Sequence, residues 1–256
     1  MSNEVNKSQS EMIGHYILYS VENSVGHIKI NNPEMKNGLN YIGINEFADV
    51  LERLETDNVK VAVIRGSNEY FFTGGRVDPN VEGENSKYSA AIARYENALV
   101  KNSVPLIAAI SGDCLKAGMG LLAVCDFAVA RKGVEFGFPE VRMGGVPMMV
   151  MASTIATMPP KRGLEAYLTS WNFSAEDAYM MGLVNRVVDE AEFELTVQKF
   201  VDVFLETPPV LVEMTRRAYS KMSEMKSLKE RSEFAMKMLQ EEVLPAMQKQ
   251  KTEYNV

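Results

Sequence analysis

The chain has 256 residues, 46% of them hydrophobic and 24% charged, enough for a sizeable core in one large domain or two small ones. Its formal net charge of −7 argues against nucleic acid as a partner but leaves a small anionic ligand open. No apolar run is long enough to cross a bilayer and no membrane-surface helix stands out, so no membrane role is expected.

The opening segment, residues 1–12 (MSNEVNKSQSEM), is polar and lacks a signal-type apolar core. It is read as a flexible tail on a cytoplasmic protein. Two alternating segments, His15 to Val21 and Val25 to Ile30, predict a hairpin around the turn-like Glu22-Asn23-Ser24. A helix is predicted from Tyr41 to Leu54, where Ile42, Phe47, Val50, Leu51 and Leu54 keep helical spacing. Val59 to Ile64 reads as a buried strand, followed by the Gly-rich loop FFTGGRVDPN. A polar stretch from Glu82 to Ser89 leads into a helix over Ala90 to Val100, and Pro105 introduces the strand Leu106 to Ile110. Gly112 to Gly120 is a second small-residue loop that runs into the apolar LLAVC, and Asp126 to Ala130 is another strand. This alternation predicts an α/β fold of stacked strand-and-helix units. After Pro147 the pattern turns helical: MPPKRGLEAYLTS starts on prolines, and SAEDAYMMG has a Ser N-cap and a closing Gly. One short strand, GLVNRVV, precedes helices at Glu190 to Leu205, Pro209 to Met222 and Ser227 to about Leu244. The organisation is therefore a tail (1–12), a core (13–195) and a helical region (196–256) whose apolar faces dock on the core or on another subunit.

Cys114 and Cys125 lie in apolar surroundings and read as structural thiols; His15 and His27 show no metal-ligand spacing, so no metal site is expected. Three other segments carry chemistry. Phe71 to Gly75 (FFTGG) is either a plain turn or a loop that aims a main-chain N–H at a ligand. Gly112 to Asp126 opens an apolar helix on small residues; either close packing demands them, or the helix N-terminus holds a developing negative charge. Glu140, in the apolar run FGFPEVRMGGVP, either caps a turn or is desolvated for proton transfer. The methionines at 148–151 pack or line an acyl pocket, and Trp171 reads as structural.

In this order the three segments resemble the crotonase (enoyl-CoA hydratase/isomerase) family. NNPEMKNGLN at 31–40 is similar to the family's N-R-P-x-x-x-N-A-L-N. FFTGGRVD is similar to F-x-A-G-x-D, and GDCLKAGMGLLAVCD to G-x-x-x-G-G-G/L-x-L-x-x-x-C-D. FGFPEVRMGGVPMMV resembles F-G-x-P-E-x-x-x-G-x-x-P, and LTSWNFSAEDAYMMGLVNRVV resembles L-T-G-x-x-x-S-A-x-E-A-x-x-x-G-L-V-N-x-V-V. The resemblance covers nearly the whole chain.

It implies a spiral of ββα units with a C-terminal helical trimerisation region, hence a homotrimer or hexamer. It implies that Gly74 and Ala117 offer backbone N–H groups to a thioester carbonyl, and that Glu140 moves the proton. Lys36, Gly38, Leu39, Gly75, Arg76, Val77, Gly118 and Gly120 would line the substrate, an acyl-CoA or an acyl-carrier-protein thioester. CoA would come with the substrate, with no separate cofactor. The chain departs from the pattern in several places. The hydratases' second glutamate falls at Gly120, the loop aspartate at Val77 with Asp78 one residue late, and Arg76 and Lys116 stand where small residues are usual. One glutamate suits an isomerase and leaves hydration open. Arg76 or Lys116 either reads an anionic group on the substrate or its carrier or simply lies at the surface, and the resemblance implies that Lys249 and Lys251 would contact CoA phosphates. Two alternatives stay open: a decarboxylase or dehydratase acting on a carrier-bound acyl chain, and a non-catalytic acyl-CoA-binding homologue.

Overall fold

The computed structural model describes residues 11–12, 14–78 and 80–254. The first elements are β1 (Glu11–Met12), β2 (Ile17–Glu22), β3 (Val25–Ile30), α1 (Tyr41–Arg53), β4 (Val61–Gly66), β5 (Tyr70–Phe72) and α2 (Glu84–Lys101). There follow β6 (Leu106–Ile110), β7 (Asp113–Leu115), α3 (Ala117–Val124), β8 (Phe127–Arg131), β9 (Glu135–Gly137), α4 (Met148–Thr154) and α5 (Pro160–Thr169). The chain closes with β10 (Phe173–Ser174), α6 (Ala175–Met180), β11 (Arg186–Val188) and helices α7 (Glu190–Glu206), α8 (Pro209–Ser223), α9 (Leu228–Met238) and α10 (Leu244–Tyr254). A five-residue π-helical turn, Leu239–Val243, joins the last two. Two compact units divide between Asp202 and Val203.

The first unit holds two sheets. The larger has seven strands in the order β1-β2-β3-β4-β6-β8-β11, and the smaller has four in the order β10-β9-β7-β5. The β2–β3 hairpin turns on Asn23 and Ser24, whose φ values of 50° and 63° are the left-handed pair that a tight hairpin requires. From β3 onward the large sheet is parallel. Its central strands are buried along their length, which is why Val61 to Ile64 and Leu106 to Ile110 read as unbroken apolar runs. Helix α1 begins where the sequence predicts it: the Asn40 side chain accepts from the N–H groups of Ile42 (3.1 Å) and Gly43 (3.0 Å). Helix α2 begins earlier than its apolar spacing indicates. Residues 84–89 form its polar first turns, exposed apart from Glu84 and Tyr88, and the buried Glu84 carboxylate accepts from the Asp78 N–H at 3.0 Å. Turns built almost wholly of polar residues carry no apolar periodicity to read.

The small sheet positions the site. Its strands have only two or three residues, and β5, β7 and β9 run parallel as neighbours. Tyr70 pairs with Asp113, Phe72 with Cys114, Cys114 with Phe136 and Leu115 with Gly137. The carboxyl ends of three adjacent strands therefore lie side by side, and each releases one of the three segments singled out above.

Glu11 and Met12, from the expected tail, pair with Tyr19 and Leu18 of β2; residues 1–10 lie outside the described residues. In the second unit α8, α9, the π-helical turn and α10 leave Val210, Tyr219, Leu228, Met236, Leu239, Leu244 and Met247 exposed. Both thiols are free, and burial pushes Cys114 and Cys125 well above the ordinary thiol range, which makes them poor nucleophiles. Among the described residues no helix is long and apolar enough to cross a membrane.

Candidate active site

Gly74 follows β5 by two residues. Its φ of +90° is one that residues with a side chain rarely adopt, and a methyl added there would lie 3.1 Å from the Ala117 nitrogen. Two backbone segments thus meet at Gly74 and Ala117. The Gly74 carbonyl accepts from the Leu39 N–H at 2.9 Å, and the Arg76 N–H donates to the Leu39 carbonyl at 2.8 Å. The Gly74 N–H has no acceptor among the described residues, and neither has that of Ala117, the first residue of α3. A helix start leaves its first N–H groups without intrahelical acceptors, and the dipole adds positive character there. Two unpartnered donors on adjoining backbone segments are an arrangement that can cradle one oxygen.

Small residues around the cradle have assignable causes. Any side chain at Gly118 would strike the Phe72 carbonyl, so this glycine lets α3 close on β5. Gly75 lies directly under the Tyr88 hydroxyl from α2. Leu39 is buried and forms an isolated bridge with Gly75. The 32–39 loop is held by Asn37, which is 0% exposed. Asn37 donates to the carbonyls of Ser67 (2.9 Å) and Tyr70 (2.5 Å), and accepts from the Asn32 N–H (3.0 Å) and the Ser67 hydroxyl (2.6 Å). Lys36 is exposed at the surface of this loop, its ammonium 5.2 Å from the centre of the Tyr70 ring.

Glu140 lies three residues beyond β9 at the start of a short 3-10 turn, Val141–Met143. Its carbonyl accepts from the Met143 and Gly145 N–H groups at 3.0 and 2.8 Å, which pins the backbone. The side chain is half-buried, and its Oε2 is buried without any hydrogen-bond partner among the described residues. Burial pushes the carboxyl above the ordinary carboxylate range; its own backbone N–H and the nearby Lys116 ammonium pull the other way without reversing this. The side chain does not cap its turn, so the turn-capping reading falls away.

Arg76 and Lys116 separate clearly. The Arg76 side chain lies over Gly38, and its guanidinium donates to the Met35 carbonyl at 3.0 Å, clasping the 32–39 loop. Lys116 links the strands instead: its N–H donates to the Gly137 carbonyl at 3.1 Å, and its charge acts on Glu140. Asp78 closes a local turn by accepting from the Asn80 N–H at 2.9 Å, and Val77 beside it is half-buried. Lys249 is exposed; the side chain of Lys251 lies outside the described residues.

Two contributors escaped the sequence reading. A side chain at Gly120 would begin 3.2 Å from the Ser153 hydroxyl of α4, which stands over the position lacking the second glutamate. Tyr88, half-buried, has a hydroxyl raised above its ordinary range by burial. Neither belongs to a motif; only the folded chain brings α2 and α4 to these glycines.

A scan of protein families matches residues 20–253 to the family described as enoyl-CoA hydratase/isomerase. A short-chain-enoyl-CoA hydratase of Clostridium acetobutylicum is 26% identical over 211 residues, covering 80% of this chain and 81% of that protein. A probable enoyl-CoA hydratase of Rhizobium meliloti is 29% identical, covering 67% of this chain and 68% of its own. Among solved structures, an enoyl-CoA hydratase subunit I of Geobacillus kaustophilus superposes with a TM-score of 0.80 at 28% identity, covering 93% of this chain and 92% of that one. The human enoyl-CoA hydratase domain-containing protein 3 shares the fold, with a TM-score of 0.79 at 23% identity, covering 92% of this chain and 98% of that one. With a family match spanning nearly its whole length, and with three chemical segments meeting at the ends of adjacent strands, this chain belongs to the enoyl-CoA hydratase/isomerase family of acyl-CoA enzymes.

Proposed function

We propose that the protein moves a double bond along the acyl chain of an enoyl-CoA, using Glu140 as a single proton shuttle. The observation that carries this reading is the pairing of Glu140, half-buried with an unpartnered Oε2, with a glycine at position 120. A 3-enoyl thioester would place its carbonyl oxygen between the N–H groups of Gly74 and Ala117. The Glu140 carboxylate takes a proton from the α carbon, and the electron pair moves onto the carbonyl oxygen as a dienolate. The two N–H groups hold that oxyanion, each such donor typically contributing about 3 kcal/mol in the transition state. The now-protonated Glu140 returns its proton to the γ carbon, and the 2-enoyl thioester forms. Proton count and charge balance, and no resident cofactor is required; CoA enters and leaves with the acyl group. The raised affinity of Glu140 for protons suits abstraction from carbon.

The test is product analysis with matched 2-enoyl-CoA and 3-enoyl-CoA, wild type beside Glu140→Gln. Double-bond migration that disappears in the variant is the expected result. Hydrated product alone would transfer the role of water-positioning partner to a group such as Ser153. No turnover of either substrate would return the reading to a binding protein or to a carrier-bound substrate.

One observation favours a second reading, decarboxylation or dehydration of a carrier-bound acid: the ammonium of Lys116 makes no ion pair among the described residues. Selective capture of an acyl-carrier protein over free CoA thioester would support it. We further propose a homotrimer, or a dimer of trimers, in the cytoplasm. The apolar side chains exposed on α8, α9 and α10 support self-association.

A further inference from the structure

Lys116 occupies a backbone conformation that belongs to glycine. Its φ of 54° and ψ of −126° match the first central position of a type II′ turn, where a side chain is disfavoured. The lysine is retained there although it adds nothing to the turn: its backbone contacts, from its N–H to the Gly137 carbonyl and from the Met119 N–H to its own carbonyl, would be made by glycine equally well. An outlier of this kind points to a use for the side chain.

Three observations say what that use is. Lys116 immediately precedes the Ala117 donor, and its Cβ lies 3.3 Å from where a side chain on Gly74 would begin, so the lysine rises from the rim of the cradle. The side chain is half-buried and pairs with no carboxylate among the described residues. Its charge acts on Glu140 without forming an ion pair with it. Arg76, another cation beside the loop, is committed to the Met35 carbonyl and lies over Gly38.

We propose that Lys116 is a specificity-determining residue that binds a second carboxylate on the acyl chain, making the preferred substrate the CoA thioester of a dicarboxylic acid. This rests on the reading that the thioester carbonyl sits between Gly74 and Ala117. An ammonium on this rim gains a charge-assisted hydrogen bond from a carboxylate on the acyl chain, whereas a methyl in the same place offers it no partner.

The experiment is calorimetric binding of butyryl-CoA and succinyl-CoA, which differ by a carboxylate in place of the terminal methyl. The proteins are wild type, Lys116→Gln, Lys116→Gly, Lys116→Arg and Arg76→Ala. The expected result is tighter binding of succinyl-CoA by the wild type. That preference should fall at least tenfold in the Gln and Gly variants, and persist in Lys116→Arg and Arg76→Ala. Lys116→Gly fits the native backbone, so loss of the preference in that variant does not reflect misfolding. No preference in the wild type, a preference unchanged in Lys116→Gln and Lys116→Gly, or one lost in Arg76→Ala overturns the proposal. Because both ligands are saturated, binding is read without turnover. A wild-type preference lost at Lys116, alongside no double-bond migration, would overturn the isomerase reading and leave this one standing.

Discussion

The nitrogen of Ala117 lies 3.1 Å from the point where a side chain on Gly74 would begin. Neither residue's N–H has another acceptor among the described residues, so the separation of the two donors is fixed by the approach of one loop to one helix start.

Replacing Gly74 by alanine tests that approach directly. The added methyl meets the Ala117 nitrogen and forces a side chain onto a φ of +90°. The backbone strain amounts to about 1–2 kcal/mol. Displacement of one donor lowers kcat by roughly 10²–10³-fold. Thermal melting beside steady-state kinetics checks both, with a larger loss in turnover than in stability as the expected pattern.

Glu140 links activity and stability to pH in opposite senses. In its proposed role as base it must be ionised, so activity should fall on acidification at a higher pH than an ordinary carboxylate dictates. For folding, a carboxyl raised above its ordinary 4.5 binds its proton more tightly in the native chain than in the unfolded one. Its stabilising contribution is therefore fully present below about pH 4.5 and is lost as pH rises through the raised native value. Glu140→Gln should melt higher than wild type at pH 8, with the difference vanishing at pH 4. A constant difference across that range would contradict the burial of the charge.

Lys116→Gly should stabilise the protein. Release of a residue from a glycine-type conformation returns roughly 1–3 kcal/mol. Glycine's greater freedom in the unfolded chain takes back about 0.5–1 kcal/mol. A net gain of about 1 kcal/mol in denaturant titration is expected; a loss would mean that the side chain supports the fold.

Asn37→Ala removes the clasp of the 32–39 loop. Two backbone carbonyls, those of Ser67 and Tyr70, lose their donor in a buried setting. Each unsatisfied group costs about 1–3 kcal/mol, so a destabilisation on the order of 3 kcal/mol is expected by urea unfolding. Turnover should fall as well, because Leu39 on the same loop holds the Gly74 carbonyl.

The central strands of the large sheet were legible in the sequence because they are buried on both faces and leave continuous apolar runs, as at Val61 to Ile64. The hairpin was legible through Asn23-Ser24, whose local chemistry dictates a turn, and α1 through the helical spacing of Phe47, Val50 and Leu51, while its Asn40 cap emerged only in the structure. The strands β5, β7 and β9 were not, since elements of three residues carry no measurable alternation. The site segments showed through their glycines and Glu140, and the resemblance put them in one order. What the order could not give was orientation. That Arg76 turns back onto Gly38 while Lys116 acts on Glu140 depends on side-chain direction, which motif spacing does not encode. Ser153 and Tyr88 stayed hidden because each reaches the site from a helix distant in sequence.

The two donors descend from β5 and β7, hydrogen-bonded neighbours in one sheet, and Glu140 from β9, the next strand over. Their spacing is thus inherited from the pitch of the sheet, about 4.8 Å from strand to strand, and owes nothing to the side chains at 116, 120 or 153. Those positions are free to change charge, size and hydrogen-bonding character while the oxygen-binding frame stays put. A chain built this way can exchange one reaction for another by altering a few rim residues, with no rearrangement of its core.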